Sequence, residues 1–379
     1  MSHALSLARV RAHVYRYPLT TPVRTSFGTM RDRPMVVIEA EDKDGVRGYG
    51  EVWCNFPAVG AEHRARLVAS VMEPLLTARD FTGPEEAYMV LSSATAVLAL
   101  QSAEPGPFAQ AIAGIDTALW DLAARKAGEP LWQFIDKAAV PRVRVYASGL
   151  NPDAPEVLAA RRRDEGHRAF KLKIGFGRDR DLRNLSALRE ALGPDCQLMV
   201  DANQAWDLDT ALSCARDLEP LGLGWLEEPL RCDRPWSDWQ RLAAATRTPL
   251  AAGENIMGFE SFRTALSAGV LRVVQPDMAK WGGFSGTLPV AKAILGAGLR
   301  YCPHYLGGGI GLLASAHLLA AVGGDGMLEI DANDNPLRTD LCGPLARVMD
   351  GHALLTDAPG LGPIPDLAAI ARYRVEIAV

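Results

Sequence analysis

Two hydrophobic rhythms divide the chain. Met35–Val52 (MVVIEAEDKDGVRGYGEV) carries apolar residues at strand spacing on both sides of Lys43-Asp44-Gly45, which predicts a β-hairpin. From about Glu62 the spacing becomes helical. Phe108–Gly128 places Ile112, Ile115, Leu119 and Leu122 on one face, with Gly128 as the stop. Strands followed by helices predict a small α+β domain over residues 1–136. From Val143 onward the pattern is different. Short apolar runs recur at Val143–Tyr146, Ala169–Ile174, Leu198–Asp201, Gly224–Glu227, Leu250–Ala252, Leu271–Gln275, Arg300–Cys302 and Met327–Ile330, with helical segments between them. Alternation of β and α at this period predicts a parallel sheet, and eight units close a TIM-type α/β barrel over residues 137–349. The tail, residues 350–379, ends in the extended ARYRVEIAV and is expected to pack back on the first domain. The apolar stretches Ala87–Leu100 and Leu312–Val322 are shorter than the ~20 residues of a membrane span and are expected to be buried helices.

The polar residues at the strand ends carry the chemistry. The second to eighth runs end in, or are followed by, Lys173, Asp201, Glu227, Glu254, Asp277, His304 and Glu329, at intervals of 28, 26, 27, 23, 27 and 25 residues. One charge at a strand end means little, since every strand must end. Seven in register place their groups at the C-terminal mouth of a barrel, where catalytic residues collect. Asp201, Glu227 and Glu254 end three consecutive strands. Three carboxylates brought together repel unless a cation neutralises them, and an all-oxygen set suits Mg2+, with Mn2+ as the alternative, better than Zn2+. Asp277 and His304 end neighbouring strands, so the carboxylate is placed to accept the imidazole Nδ1–H, fix its tautomer and raise its pKa. His317, inside LLASAHLLAAV, reads as a packed helix residue.

The second run, AFKLK, puts Lys171 and Lys173 on one face. Two ammonium groups side by side are expected to depress each other's pKa, which makes Lys173, nearer the strand end, the expected general base and Lys171 a charged helper. A divalent cation with a base on each side suits removal of a proton α to a carboxylate. The resulting enediolate gathers charge on oxygens that the cation, Lys171 and the acid form of Glu329 are expected to stabilise. Two segments of the first domain, Thr20–Met30 and Gly50–Gly60, are the expected lid. Arg24 is the candidate for a distal carboxylate, and Trp53 is the candidate for narrowing the pocket.

Composition narrows the setting. The chain has 379 residues and a net charge of −5, with no long basic run, which argues against a nucleic-acid partner. The one basic cluster, Arg161–Arg163, is followed by Asp164 and Glu165 and reads as a solvated helix face. Six cysteines without C-x-x-C spacing read as free thiols of a cytoplasmic protein, and the N-terminus lacks a signal-peptide pattern. No membrane association is expected.

Taken together the motifs resemble the enolase superfamily, mandelate racemase subgroup. They are KLK (Lys171, Lys173), VDANQ (Asp201), LEEP (Glu227), GEN (Glu254), QPDMAKWGG (Asp277), PHYLGG (His304) and LEIDAN (Glu329). The resemblance implies a modified (β/α)7β barrel beneath an N-terminal α+β capping domain. It implies Lys173 and the Asp277-paired His304 as the two bases, and Asn203 as a substrate contact near the metal. Glu228 and Lys280 are implied as supporting groups behind the ligands. It implies a small carboxylate as substrate and a homo-oligomer as the assembly. Dehydration of an acid sugar is the expected reaction, with two-base racemisation or epimerisation of a 2-hydroxy acid as the alternative. Cycloisomerisation is the weaker match, because the muconate cycloisomerase branch carries a lysine where this chain has Asp277. A non-catalytic binding protein on the same scaffold is the remaining reading. Gly307, Gly308, Gly309 and Gly311 follow His304 without a phosphate-loop pattern.

Overall fold

A computed structural model describes residues 4–25 and 28–377, with the side chains of Thr21 and Arg24 also outside the description. The first domain is an antiparallel sheet backed by helices. β1 (Leu7–Arg24), β2 (Thr29–Asp42) and β3 (Arg47–Val52) form a meander. The β2–β3 turn falls at the expected place, with Gly45 at φ +83°. The helix Pro105–Ala127 lies across this sheet and stops at left-handed Gly128. It approaches so closely that a Cβ at Gly50 would sit 2.0 Å from the Gly114 carbonyl oxygen. The helix Pro84–Gln101 corrects one expectation. Ala87, Leu91, Thr95 and Ala99 are buried, but Met89, Val97, Leu98 and Leu100 face outward. A run apolar on all sides has more apolar positions than one neighbour can cover.

Among the described residues, eight parallel strands build the second domain. They are β4 (Arg142–Leu150), β5 (Ala169–Lys173), β6 (Gln197–Asp201), β7 (Leu226–Glu227), β8 (Leu250–Ala252), β9 (Leu271–Val274), β10 (Arg300–Tyr301) and β11 (Met327–Asp331). Hydrogen bonding runs β10-β9-β8-β7-β6-β5-β4-β11. At the remaining seam the Met327 N–H donates to Cys302 Sγ at 3.3 Å. Seven helices join the strands, giving the (β/α)7β order.

Inward-facing Tyr146, Ala169, Met199, Trp225, Ala251, Val273, Cys302 and Met327 form a plug inside the barrel. Tyr146 and Trp225 meet edge to face, centroids 5.2 Å apart. Period-two alternation then turns Lys171, Lys173, Asp201, Glu227 and Glu329 inward above the plug.

The tail divides between the domains. β12 (His352–Leu354) pairs antiparallel with the start of β4, and β13 (Arg374–Val375) adds to the outer edge of β1. The basic cluster is only partly solvated, since Arg162 is largely buried and donates to the Ala332 carbonyl. The domains are joined by buried polar contacts. Arg33 pairs with Asp331, and Asp116 on the Pro105–Ala127 helix accepts from the backbone and hydroxyl of Ser285 at the start of the helix Gly283–Gly296. No helix among the described residues is long and apolar enough to cross a membrane.

Candidate active site

Strand register sets the floor of the mouth. Lys173 pairs with Asp201 and Asp201 with Glu227, so the ends of β5, β6 and β7 lie level. Lys171 is 1% exposed. Its Nζ lies 2.6 Å from Glu227 Oε1, 2.8 Å from Glu329 Oε1 and 4.0 Å from Asp201 Oδ2. Burial alone would lower its pKa, but Glu227 and Glu329 overrule burial and hold it well above the ordinary lysine range. The expected mutual depression of the two lysines therefore fails for Lys171, because carboxylates from β7 and β11 outweigh the neighbouring ammonium. Lys173 is held more loosely. Its Nζ is 2.6 Å from Asn203 Oδ1 and 3.4 Å from Asp201 Oδ2.

The other side of the mouth is built on His304. Its Nδ1 lies 2.7 Å from Asp277 Oδ2, and its Nε2 lies 2.5 Å from Glu254 Oε2 and 3.7 Å from Glu329 Oε2. Burial opposes charge on the ring, yet Glu254, Glu329 and Asp277 raise its pKa well above the usual value. Asp277 is fixed from behind by the N–H groups of Ala279 and Lys280. Glu329 accepts from Ser148 Oγ and from the Tyr305 N–H. Burial would raise its pKa, but Lys171 and His304 bring it below the ordinary range. That direction favours the carboxylate over the acid form expected from sequence. By contrast His317 accepts the Trp132 N–H, and burial lowers it to about 3.

The three carboxylates expected to share a cation have other neighbours here. Glu227 accepts from Lys171, Trp225 Nε1 and Gln275 Nε2; Glu254 accepts from His304 and Asn255; Asp201 accepts from Asn203. Among the described residues, no three acidic, thiol or imidazole side chains close around one point. Glu228 takes both its bonds from Asn255 Nδ2, and Lys280 reaches Glu254 Oε2 at 3.5 Å. Asn203, Gln204 and Glu228 have φ of +43°, +62° and +38°, a strain concentrated where β6 and β7 end.

The charge balance fits a divalent cation. Asp201, Glu227, Glu228, Glu254, Asp277 and Glu329 are buried. They face Lys171, Lys173, Lys280 and His304, so six carboxylates meet four potential cations and a deficit of two remains. The deficit is felt at Glu228, whose pKa burial, Glu254 and Asp201 push well above the carboxylate range. Oxygen donors at three adjacent strand ends, short of two positive charges, are the donor set of a hard divalent ion.

A cavity of about 810 Å³ opens beside Asn203, between barrel loops at Phe176, Gln204 and Cys232 and the capping segment at Thr25; among the described residues Asn203 is the one candidate site residue in its lining. Trp53 lies at the other side of the mouth, its ring 4.9 Å from Lys280 Nζ. Arg24, the candidate for a distal carboxylate, has a side chain outside the described residues. Sequence reasoning missed Gln275, Asn255 and Ser148, which hold the acidic groups, because single amides and hydroxyls carry no spacing signal.

Comparison with known proteins now decides the family. Residues 9–136 match the mandelate racemase / muconate lactonizing enzyme N-terminal domain, and residues 155–369 match the enolase C-terminal domain-like family. The chain belongs to the enolase superfamily. It is 58% identical, at TM-score 0.92, to a mandelate racemase/muconate lactonizing enzyme structure from Bordetella bronchiseptica, covering 98% of this chain and 99% of that one. A racemase from Streptomyces coelicolor with bound magnesium is 30% identical at TM-score 0.87, over 97% and 100% of the two chains. Of the curated relatives, the D-galactarolactone cycloisomerase of Agrobacterium fabrum is 30% identical over 98% of this chain and 99% of that one. The arabinonate dehydratase of Saccharolobus solfataricus is 30% identical over 88% and 89%.

Proposed function

We propose that this superfamily member is a Mg2+-dependent enzyme that removes the proton α to a carboxylate, and that its net reaction is dehydration of an acid sugar to a 2-keto-3-deoxy acid. One observation carries the reading. Lys173, at the end of β5, lies 3.4 Å from Asp201 Oδ2, and the Asp277-backed His304, just after β10, lies 2.5 Å from Glu254 Oε2, so two proton-handling groups meet the expected ligand set from different strands. Asp201, Glu227 and Glu254, with Glu228 beside them, are the residues that would hold the metal. The ion would supply positive charge for the substrate carboxylate.

Lys173 takes the α-proton, and the C–H electrons move onto the carboxylate as an enediolate. Asn203, whose Oδ1 accepts from Lys173 Nζ, orients the Lys173 amine and the near end of the substrate. Lys171, fixed between Glu227 and Glu329, keeps a positive charge below the developing oxyanion. His304, as imidazolium, gives its proton to the β-hydroxyl, which departs as water while the enediolate electrons form the C2–C3 double bond. The resulting enol tautomerises to the 2-keto acid. The acid-sugar dehydratases among the relatives support this substrate class.

The placement of Lys173 and His304 on separate sides also suits a second outcome. There the second group returns a proton to the opposite face of the same carbon and the product is the epimer. Aldonates and aldarates incubated with Mg2+ separate the two. Keto product trapped as a semicarbazone, without epimer, supports dehydration; epimer alone overturns it in favour of racemisation. If no substrate yields product or exchanges its α-proton with D2O, the enzymatic reading fails.

A further inference from the structure

The glycine-rich segment after His304 has no part in the reaction above, yet it is built with unusual economy of space. A Cβ on Gly307 would lie 2.3 Å from the Tyr305 hydroxyl, one on Gly308 2.3 Å from Met35 Sδ, and one on Gly311 2.1 Å from the Tyr305 hydroxyl. None of these three glycines has positive φ. They are small to make room, not to turn the chain.

What they make room for is a carboxylate of the other domain. Glu51, near the end of β3, is 3% exposed. Its Oε1 accepts the Gly308 N–H at 2.5 Å and its Oε2 accepts the Gly311 N–H at 3.0 Å. The Ile310 N–H and the Tyr305 hydroxyl also donate to it. Glu51 therefore caps the helix Gly309–Val322 from outside the barrel, where a negative charge meets the unsatisfied N–H groups and the positive end of the dipole. Asn55, from the same capping segment, donates to the Leu306 carbonyl at 2.6 Å. Tyr305 directly follows His304, and its own N–H is bound by Glu329 at 3.0 Å. The residue after the imidazole is thus held at both ends, its backbone by the last barrel strand and its hydroxyl by the capping domain.

We propose that Glu51 is a positioning residue for His304, acting through Tyr305 and the glycine turn, so that correct seating of the capping domain sets the imidazole over the substrate. The inference rests on His304 being a proton-transfer group, as in the function proposed above. Glu51 itself touches no reacting atom. Its amide in place of the carboxylate would turn an NH2 group toward one of the N–H donors and release one end of the turn.

The test uses Glu51→Gln, Tyr305→Phe and the double variant in the full-length protein with Mg2+. Two readings are taken. The first is the low-field proton and 15N signals of the His304 imidazole in histidine-labelled protein, assigned by their loss in His304→Asn. The second is α-proton exchange in D2O from the C2 epimers galactonate and talonate. Both single variants should shift the His304 signals while leaving Mn2+ affinity unchanged. Each should slow exchange from the His304-side epimer by about 10²-fold, the scale of a misplacement of roughly 1 Å. Exchange from the Lys173-side epimer should stay within about threefold, and the double variant should lose no more than Glu51→Gln alone. Unchanged His304 signals, equal losses for both epimers, or additive losses overturn the proposal. If the wild type exchanges neither epimer, the reaction assigned above is wrong for these acids, and the His304 signals alone decide the positioning role.

Discussion

His304 Nδ1 and Asp277 Oδ2 are 2.7 Å apart, and the other oxygen of Asp277 is tied to the N–H groups of Ala279 and Lys280. The carboxylate cannot turn away without breaking its own loop, so the imidazole presents Nε2 to the mouth in one tautomer. Asp277→Asn offers an amide of the same shape. With its oxygen kept on the loop amides, its NH2 would face Nδ1 and favour the wrong tautomer. Turnover should fall by about 10²–10⁴-fold, the range for loss of a positioned acid or base, with KM little changed. Steady-state kinetics check this, and a loss confined to KM would refute it.

Lys171 makes a second commitment. It is the ammonium between buried Glu227 and Glu329. Lys171→Met removes the charge and keeps the volume, leaving two carboxylates facing each other. Breaking one side of a buried pair costs about 3–5 kcal/mol. Urea unfolding of chelator-treated protein should show a loss of this size. Lys173→Met, with one amide oxygen at 2.6 Å and a carboxylate at 3.4 Å, should lose clearly less. Equal losses would contradict the difference in anchoring.

These two residues also show how far the sequence was legible. The β/α period and the charge after each strand located the barrel and its mouth, because strand periodicity and strand ends are local properties. The sign of the Lys171 shift was not local. AFKLK displays its like-charged neighbour, whereas the carboxylates that decide its pKa arrive from β7 and β11. The direction at Glu329 was hidden for the same reason: Lys171 and His304, which lower its pKa against burial, come from distant strands. Glu51 left no motif of its own. Its trace was the glycine run at 307–311, which in sequence showed only the lack of a phosphate-loop pattern and whose small size is explained once Tyr305 and the capping domain are seen to fill the space. The outward face of Pro84–Gln101 was missed because hydrophobicity says what a helix can bury, not what stands beside it.

The two-sided arrangement predicts a split between configurations. Lys173→Ala should stop α-proton exchange from one C2 epimer and spare the other, and His304→Asn should do the reverse. Circular dichroism and divalent-ion affinity should be unchanged in both. NMR of substrate in D2O reads each epimer separately. Full turnover by both variants on the same acid would remove the two-base proposal.

The deficit of two charges at the mouth predicts a dependence on divalent ion. Chelation should abolish turnover, and Mg2+ or Mn2+ should restore it. Added ion should also raise the thermal midpoint, since a ligand that binds only the folded state stabilises it by about 2.7 kcal/mol at a hundred times its Kd. Asp201→Asn and Glu254→Gln should each weaken Mn2+ binding, measured by electron paramagnetic resonance. Glu227→Gln and Glu228→Gln form the informative pair. Glu227 is engaged by Lys171, Trp225 and Gln275, whereas Glu228 neighbours Asp201 and Glu254 electrostatically. The larger loss should fall on Glu227 if, as proposed, it is a ligand of the ion; a larger loss at Glu228 would move that ligand by one residue.

The domain junction predicts a pH dependence independent of the metal. Asp116 is buried on the capping side and accepts Ser285 Oγ at 2.5 Å and Ser285 N at 3.0 Å, while Trp120 Nε1 donates to the same hydroxyl at 2.9 Å. Burial pushes its pKa up to about 7, against the pull of hydrogen bonds from Ser285 and Phe284 and with a small addition from Glu85. A folded pKa above the unfolded value of 3.8 means that the folded state keeps a proton the unfolded state releases. The stabilisation from this group is complete below about pH 4 and is lost as pH rises through 7, on the order of 4 kcal/mol in all at about 1.4 kcal/mol per pH unit. Asp116→Asn cannot ionise. Its stability relative to wild type should therefore improve steadily from pH 5 to pH 7 and level off by pH 8, as followed by urea unfolding at each pH. A constant difference across that range would show that Asp116 is already ionised throughout and that the junction is an ordinary charged cap.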